Sequence, residues 1–275
     1  MRPIPIEFHI GPLAVHTYGL GLAVTFWFGY RYFAYRLRKA GYPDRWLGGT
    51  FVWIIVTAIV GARAVHVLAN LSDYTADPLT IFAIWQGGLS SFGGLALAIP
   101  TGLLSARRRC PTLRAAIAAD LVTPVLVASW ALGRLLGPQL MVAGGGKPTH
   151  QWFGMYYAGE VGRRLPVPIF QALECAAVFG VLMLLEHHLE EAARPTGLVT
   201  AIGVGLWGLS RFFDEFLWLS HDAGSLPIEV GGLVLFGLGA GVALWRLLAA
   251  RGAKRPPATD QDGDAETPLS LGSRT

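Results

Sequence analysis

Apolar residues in this 275-residue chain gather into long runs separated by short polar stretches, near residues 12–34, 48–70, 81–105, 114–136, 167–187, 197–219 and 227–249. Each run is long enough to span a bilayer core, which takes roughly 20 residues of helix. Lipid offers backbone groups no partner, so each run is expected to be helical. The expected fold is all-α: a polytopic membrane protein of about seven transmembrane helices, with re-entrant or broken segments around a membrane cavity. Residues 1–252 form that domain. The remainder, 253–275, is polar and Pro-containing without periodicity, and is expected to be a disordered cytoplasmic tail.

Composition agrees with the pattern. The chain is 53% hydrophobic with 15% charged residues, and its mean hydropathy is +0.46, too apolar for a soluble domain of this length. The cations sort the loops. Arg36, Arg38, Lys39 and Arg45 follow the first run, Arg107, Arg108 and Arg109 follow the third, and Arg246, Arg251, Lys254 and Arg255 end the last. By the positive-inside rule these lie in the cytoplasm, which puts the N-terminus outside and the C-terminus inside. The N-terminal MRPIPIEFHIGP lacks the basic-then-apolar layout of a cleavable signal, so the first run itself is expected to direct insertion. The net charge of +4 is what this sorting leaves over and indicates no nucleic-acid partner. Cys110 and Cys175 form neither a metal spacing nor a disulfide, and nothing calls for a metal or cofactor.

Ionisable residues inside apolar runs are costly and point to function. They are His16, Arg63, His66, Asp120, Arg134, Glu174, Arg211, Asp214 and Glu215, with Tyr18 as a polar aromatic near the outer end of the first run. Arg211 and Glu215 are four apart and are expected to pair, either as a structural ion pair or with Glu215 orienting Arg211 toward an anion. Arg134 sits where the fourth run breaks at Gly-Pro, and either snorkels to the interface or meets a phosphate. Arg63 has no acidic neighbour in sequence; Asp120 on another helix is its expected partner. His16 and His66 read as interfacial residues or as bases, and Glu174 as a structural hydrogen-bonding group. In WQGGLSSFGGL, Gly87, Gly88, Gly93 and Gly94 suit either the bent wall of an outward-opening cavity or close helix packing.

In order along the chain, IGPLAVHTYGL, GARAVHVLAN, DPLTIFAIWQGGLSSFGGL, Asp120 with Pro124, Gly133-Arg134, Gly146-Lys147-Pro148 and Arg211 with Glu215 resemble the bacterial prolipoprotein diacylglyceryl transferases. The resemblance covers residues 10 to 220 and extends loosely to 250. It implies transfer of a diacylglyceryl group from phosphatidylglycerol to the lipobox cysteine of a prolipoprotein, in the bacterial cytoplasmic (inner) membrane. It further implies that Arg134, Arg211 and Glu215 are catalytic. Substrate would be bound by His16, Tyr18, Arg63, Gly87, Gly88, Gly93, Gly94 and Gly146. The partners would be phosphatidylglycerol, the signal peptide of a lipoprotein precursor and membrane lipid. Several family positions differ: Phe92 replaces a histidine, Gly137 an asparagine, and Gln171 an acidic residue. An alternative is therefore a paralogue that binds anionic phospholipid or lipoprotein precursors without transfer; a small-molecule transporter is a third reading, without the internal repeat many transporters show.

Overall fold

The computed structural model describes residues 7–10, 13–75, 77–83, 88, 90–137, 140, 144–189, 195–219 and 226–253. Among them are seven α-helices: α1 Thr17–Lys39, α2 Leu47–Ala69, α3 Ser91–Arg109, α4 Ala115–Leu136, α5 Val167–His188, α6 Leu198–Phe213 and α7 Leu226–Ala253. Four of them, α2, α4, α5 and the apolar part of α7, are long and apolar enough to cross a membrane. Their large apolar side chains point outward as well as inward: Trp53, Leu68, Leu126, Leu173 and Leu238 are all exposed. A helix that is apolar all round suits lipid rather than water. The expected tail falls outside the described residues from 254 onward.

Two short antiparallel hairpins interrupt the helices. Strands β1 Glu7–Ile10 and β2 Leu13–His16 precede α1, while β3 Gly145–Pro148 and β4 Arg164–Pro166 join α4 to α5. Both lie outside the helices, where backbone pairs by turning on itself. Helix α4 is central: it packs against α1, α5 and α6, while α2 pairs with α3 and α6 with α7.

Small residues let the paired helices approach. A Cβ on Gly61 of α2 would lie 2.2 Å from the carbonyl oxygen of Gly93 on α3, so the two backbones touch directly. The α6–α7 seam repeats the device, with Gly208 against Gly232 and Gly205 against Gly239.

Three sequence expectations change here. Asp120 does not serve Arg63. Its carboxylate reaches from α4 to the start of α6, where Oδ2 accepts from the Gly197 amide at 2.6 Å and Oδ1 accepts from the Thr200 amide and hydroxyl at 2.9 and 2.8 Å. The orphan amides of a helix start attract a carboxylate, and Gly197 at φ +87° makes the turn that presents them. Arg36 is not a loop cation either. Helix α1 continues through it, and its guanidinium donates through Nε to the Leu121 carbonyl at 2.8 Å and through both terminal nitrogens to Glu186 at 3.0 and 2.6 Å. Third, the run at 81–105 does not become helical at its start. Pro78–Phe82 forms a 3₁₀ turn with the Asp77 carboxylate accepting from the Leu79 amide, Gly88 sits at φ +70°, and α3 begins at Ser91.

Candidate active site

The α4 and α6 helices each carry a Trp four residues before an Arg: Trp130 and Arg134, then Trp207 and Arg211. A spacing of four puts both members of a pair on one helix face. Because α4 and α6 pack together, the pairs meet. The two indoles make an edge-to-face contact with centroids 5.6 Å apart. The Arg134 guanidinium lies 4.8 Å from the Trp130 ring centre, and that of Arg211 lies 5.8 Å from the same ring and 5.6 Å from Trp207. Two cations therefore share one indole, whose electron-rich face offsets part of the cost of removing them from water. Trp130 remains 39% exposed, so the cluster is open on one side.

Helix α6 does not end as a simple α-helix. At Asp214 it widens into a π-helical turn, Asp214–Trp218. Such turns shift the phase of the side chains that follow them. As a result Arg211 forms its ion pair with Asp214, three residues on, rather than with Glu215 as the four-residue spacing suggests. Asp214 is 1% exposed, whereas Glu215 beside it is half-buried. The Nε of Arg211 is buried without a hydrogen-bond acceptor, which leaves one donor in the site beside the terminal nitrogen that pairs with Asp214.

The hairpin closes over this turn. Gly146 lies so near it that a Cβ would come within 2.2 Å of the Trp218 carbonyl oxygen, and the Lys147 ammonium donates to the Phe216 carbonyl at 3.0 Å. Trp218 stacks on Phe170 of α5 at 4.2 Å and donates its indole N–H to Glu174 at 3.0 Å. Gly146 thus has a place in the site through backbone clearance. Nearby, Tyr157 is 4% exposed behind Gly145, and burial pushes its phenol up to about 12.

Arg63 belongs to a second cluster, on α2. Its guanidinium donates to the carbonyls of Ile81 at 2.8 Å, Thr80 at 2.5 Å and Gly88 at 3.2 Å, and it lies over the Tyr74 ring at 5.3 Å. Carbonyl oxygens thus replace the acidic partner expected from sequence. Gly88 packs against Arg63 and His66, with room for no side chain: a Cβ would meet the His66 ring at 2.5 Å. Gly93 and Gly94 face α2 and serve the helix contact. Gly87 lies outside the described residues. His16 ends β2 and Tyr18 lies in the first turn of α1, and their side chains also lie outside what is described, as does that of Phe92. Among the described residues no group of His, Cys, Asp and Glu is arranged to hold a metal.

Trp130 and Trp207 carry a sequence signal, whereas Asp214 and Trp218 take their places through the π turn. A Trp four residues before an Arg occurs on α1, α4 and α6, and the packing of α4 on α6 brings two of these pairs together.

The sequence profile of prolipoprotein diacylglyceryl transferases matches residues 5–245. The chain belongs to this family. Curated relatives named phosphatidylglycerol–prolipoprotein diacylglyceryl transferase include one from Mesorhizobium japonicum, 34% identical over 229 residues, covering 77% of each chain. Another, from Coxiella burnetii, is 32% identical over 253 residues, covering 84% of this chain and 94% of the relative. A third, from Bordetella avium, is 31% identical over 272 residues and covers 92% and 97%. In this member of the diacylglyceryl transferase family, α4 and α6 bring Arg134, Arg211 and Asp214 together around Trp130.

Proposed function

We propose that this protein transfers a diacylglyceryl group from phosphatidylglycerol to the lipobox cysteine of a prolipoprotein. It does so as a multi-pass protein of the bacterial inner membrane, with its N-terminus outside and its C-terminus in the cytoplasm. One observation carries the reading: Arg134 and Arg211 converge on the Trp130 ring with the Nε of Arg211 unspent. The phosphodiester of phosphatidylglycerol brings a single negative charge, and two guanidiniums in a poorly hydrated site can bind it. Charge on that phosphate grows as its bond to the glycerol carbon breaks. The same arginines therefore stabilise the transition state more than the ground state. Relatives with this named activity align over most of the chain and support the reading; neither they nor the geometry favour the non-transferring alternative.

In a strain depleted of its own transferase, expression of this protein is expected to add diacylglyceryl mass to a model prolipoprotein. Arg134→Ala or Arg211→Ala should each lower the rate by about 100-fold or more. A folded, inserted wild type that adds no mass refutes the activity. Full activity in either variant refutes the assigned role.

A further inference from the structure

The reaction also needs somewhere for the proton of the attacking thiol to go, and Phe92 has no atom that can take it. Between α5 and α6 runs an apolar groove of about 310 Å³, walled by Leu209, Phe213 and Leu217, with Glu174, Ser210 and Trp218 as its polar members. Glu174 is fixed there from one side only. Its Oε1 accepts from the Trp218 indole, while its Oε2 is buried with no donor of its own and lies within hydrogen-bonding reach of the Asp214 carboxyl. Behind it stands Asp214, which is 1% exposed and whose charged neighbours are Arg211, Glu174 and Arg134. The groups facing this carboxyl pair are thus Arg134 from α4, Arg211 from α6 and the Cys175 thiol from α5.

We propose that Glu174, held by Trp218 and backed by Asp214, accepts the proton of the lipobox thiol. This rests on the transferase reading and deepens it.

The charge balance supports the assignment. With phosphatidylglycerol bound, two guanidiniums face the Glu174–Asp214 carboxyl pair and one phosphodiester. In the step itself the thiol proton moves to Glu174, and the sulfur electron pair forms the new C–S bond. The C–O bond to phosphate breaks with its electrons left on oxygen, so glycerol 1-phosphate gains one negative charge as Glu174 loses one. The total charge of the site does not change. In a low-dielectric pocket a step that conserves charge avoids the large cost of creating an unpaired ion. Glu174 then passes its proton to the departing phosphate or to water entering the groove. Asp214 remains with Arg211 and keeps that guanidinium aimed at the phosphate.

Glu174→Gln tests this, since the amide can still accept from Trp218 yet takes no proton. In phosphatidylglycerol nanodiscs kcat should fall about 100-fold or more, with the KM for the lipid unchanged and the alkaline-rising limb of the pH profile lost. Glu174→Asp should restore part of the rate. Wild-type kcat and an unaltered pH profile in Glu174→Gln would overturn the proposal. A second readout needs no turnover. Adding glycerol 1-phosphate to the wild type brings two negative charges to the arginines and should draw one proton onto the pair. Infrared difference spectra should then show a protonated-carboxyl stretch that is missing in Glu174→Gln. Its absence from the wild type would also overturn the proposal. If the wild type transfers nothing, the transferase reading fails, and the infrared result still decides whether Glu174 is a proton site.

Discussion

Burial without a partner leaves a measurable mark on Tyr157. Its hydroxyl is buried with no hydrogen bond, and the ionised form would be stranded there, so the phenol is pushed up to about 12 from its ordinary value of 10.0. Between those values the folded protein holds a proton that the unfolded chain has lost. The associated stability is complete below pH 10.0 and is lost as pH rises through about 12. It amounts to about 2–3 kcal/mol. Thermal unfolding in detergent from about pH 9 to 12 should show this loss, and Tyr157→Phe should remove that part of it. Equal pH slopes for the two proteins would disprove the linkage. At this scale the sequence revealed costs better than partners. Arg134 and Arg211 stood out because charge in an apolar run is expensive. Trp130 and Trp207 did not, because an aromatic residue in such a run looks like any other lipid-facing side chain. Asp214 lost out to Glu215 because residue spacing assumes one helical pitch, and the π turn changes it.

Helix α6 shows how one element depends on another. Its first turn is capped from α4, so Asp120 is a joint between helices as well as a cap. Asp120→Ala leaves three donors without their acceptor, in a residue that is itself only 6% exposed. The expected loss is about 2–3 kcal/mol, with Asp120→Asn intermediate because one amide oxygen can still accept. Thermal unfolding of the purified protein measures it, and an unchanged midpoint for Asp120→Ala would refute the capping role. The helices themselves were legible: α4 and α5 begin and end within a residue of their apolar runs, since bilayer thickness and hydropathy fix them together. The third run misled because hydropathy cannot distinguish helix from a 3₁₀ turn tied down by Arg63. The hairpins escaped notice because their strands are only three or four residues long, and β2 is merged into the first apolar run.

For the whole molecule, the arrangement of its ends fixes where chemistry can occur. Arg107, Arg108 and Arg109 close α3, and Arg114 stands just before α4. Arg134 lies in the last turn of α4, at the opposite end of that helix, and Arg211 in the last turn of α6. If the basic end faces the cytoplasm, the two arginines and the hairpin that closes over them face outward, on the side where an exported precursor presents its cysteine. Both helices run from the basic side to the site, so inverting the protein would invert the chemistry with it. Single cysteines test this in a background where Cys110 and Cys175 have been replaced. In sealed, right-side-out cells, one placed at Trp152, which is 86% exposed in the hairpin loop, should react with a membrane-impermeant maleimide. One placed at Arg108 should react only after the membrane is opened. The reverse pattern would put the arginine cluster on the cytoplasmic side, away from the precursor, and the proposed reaction could not occur there.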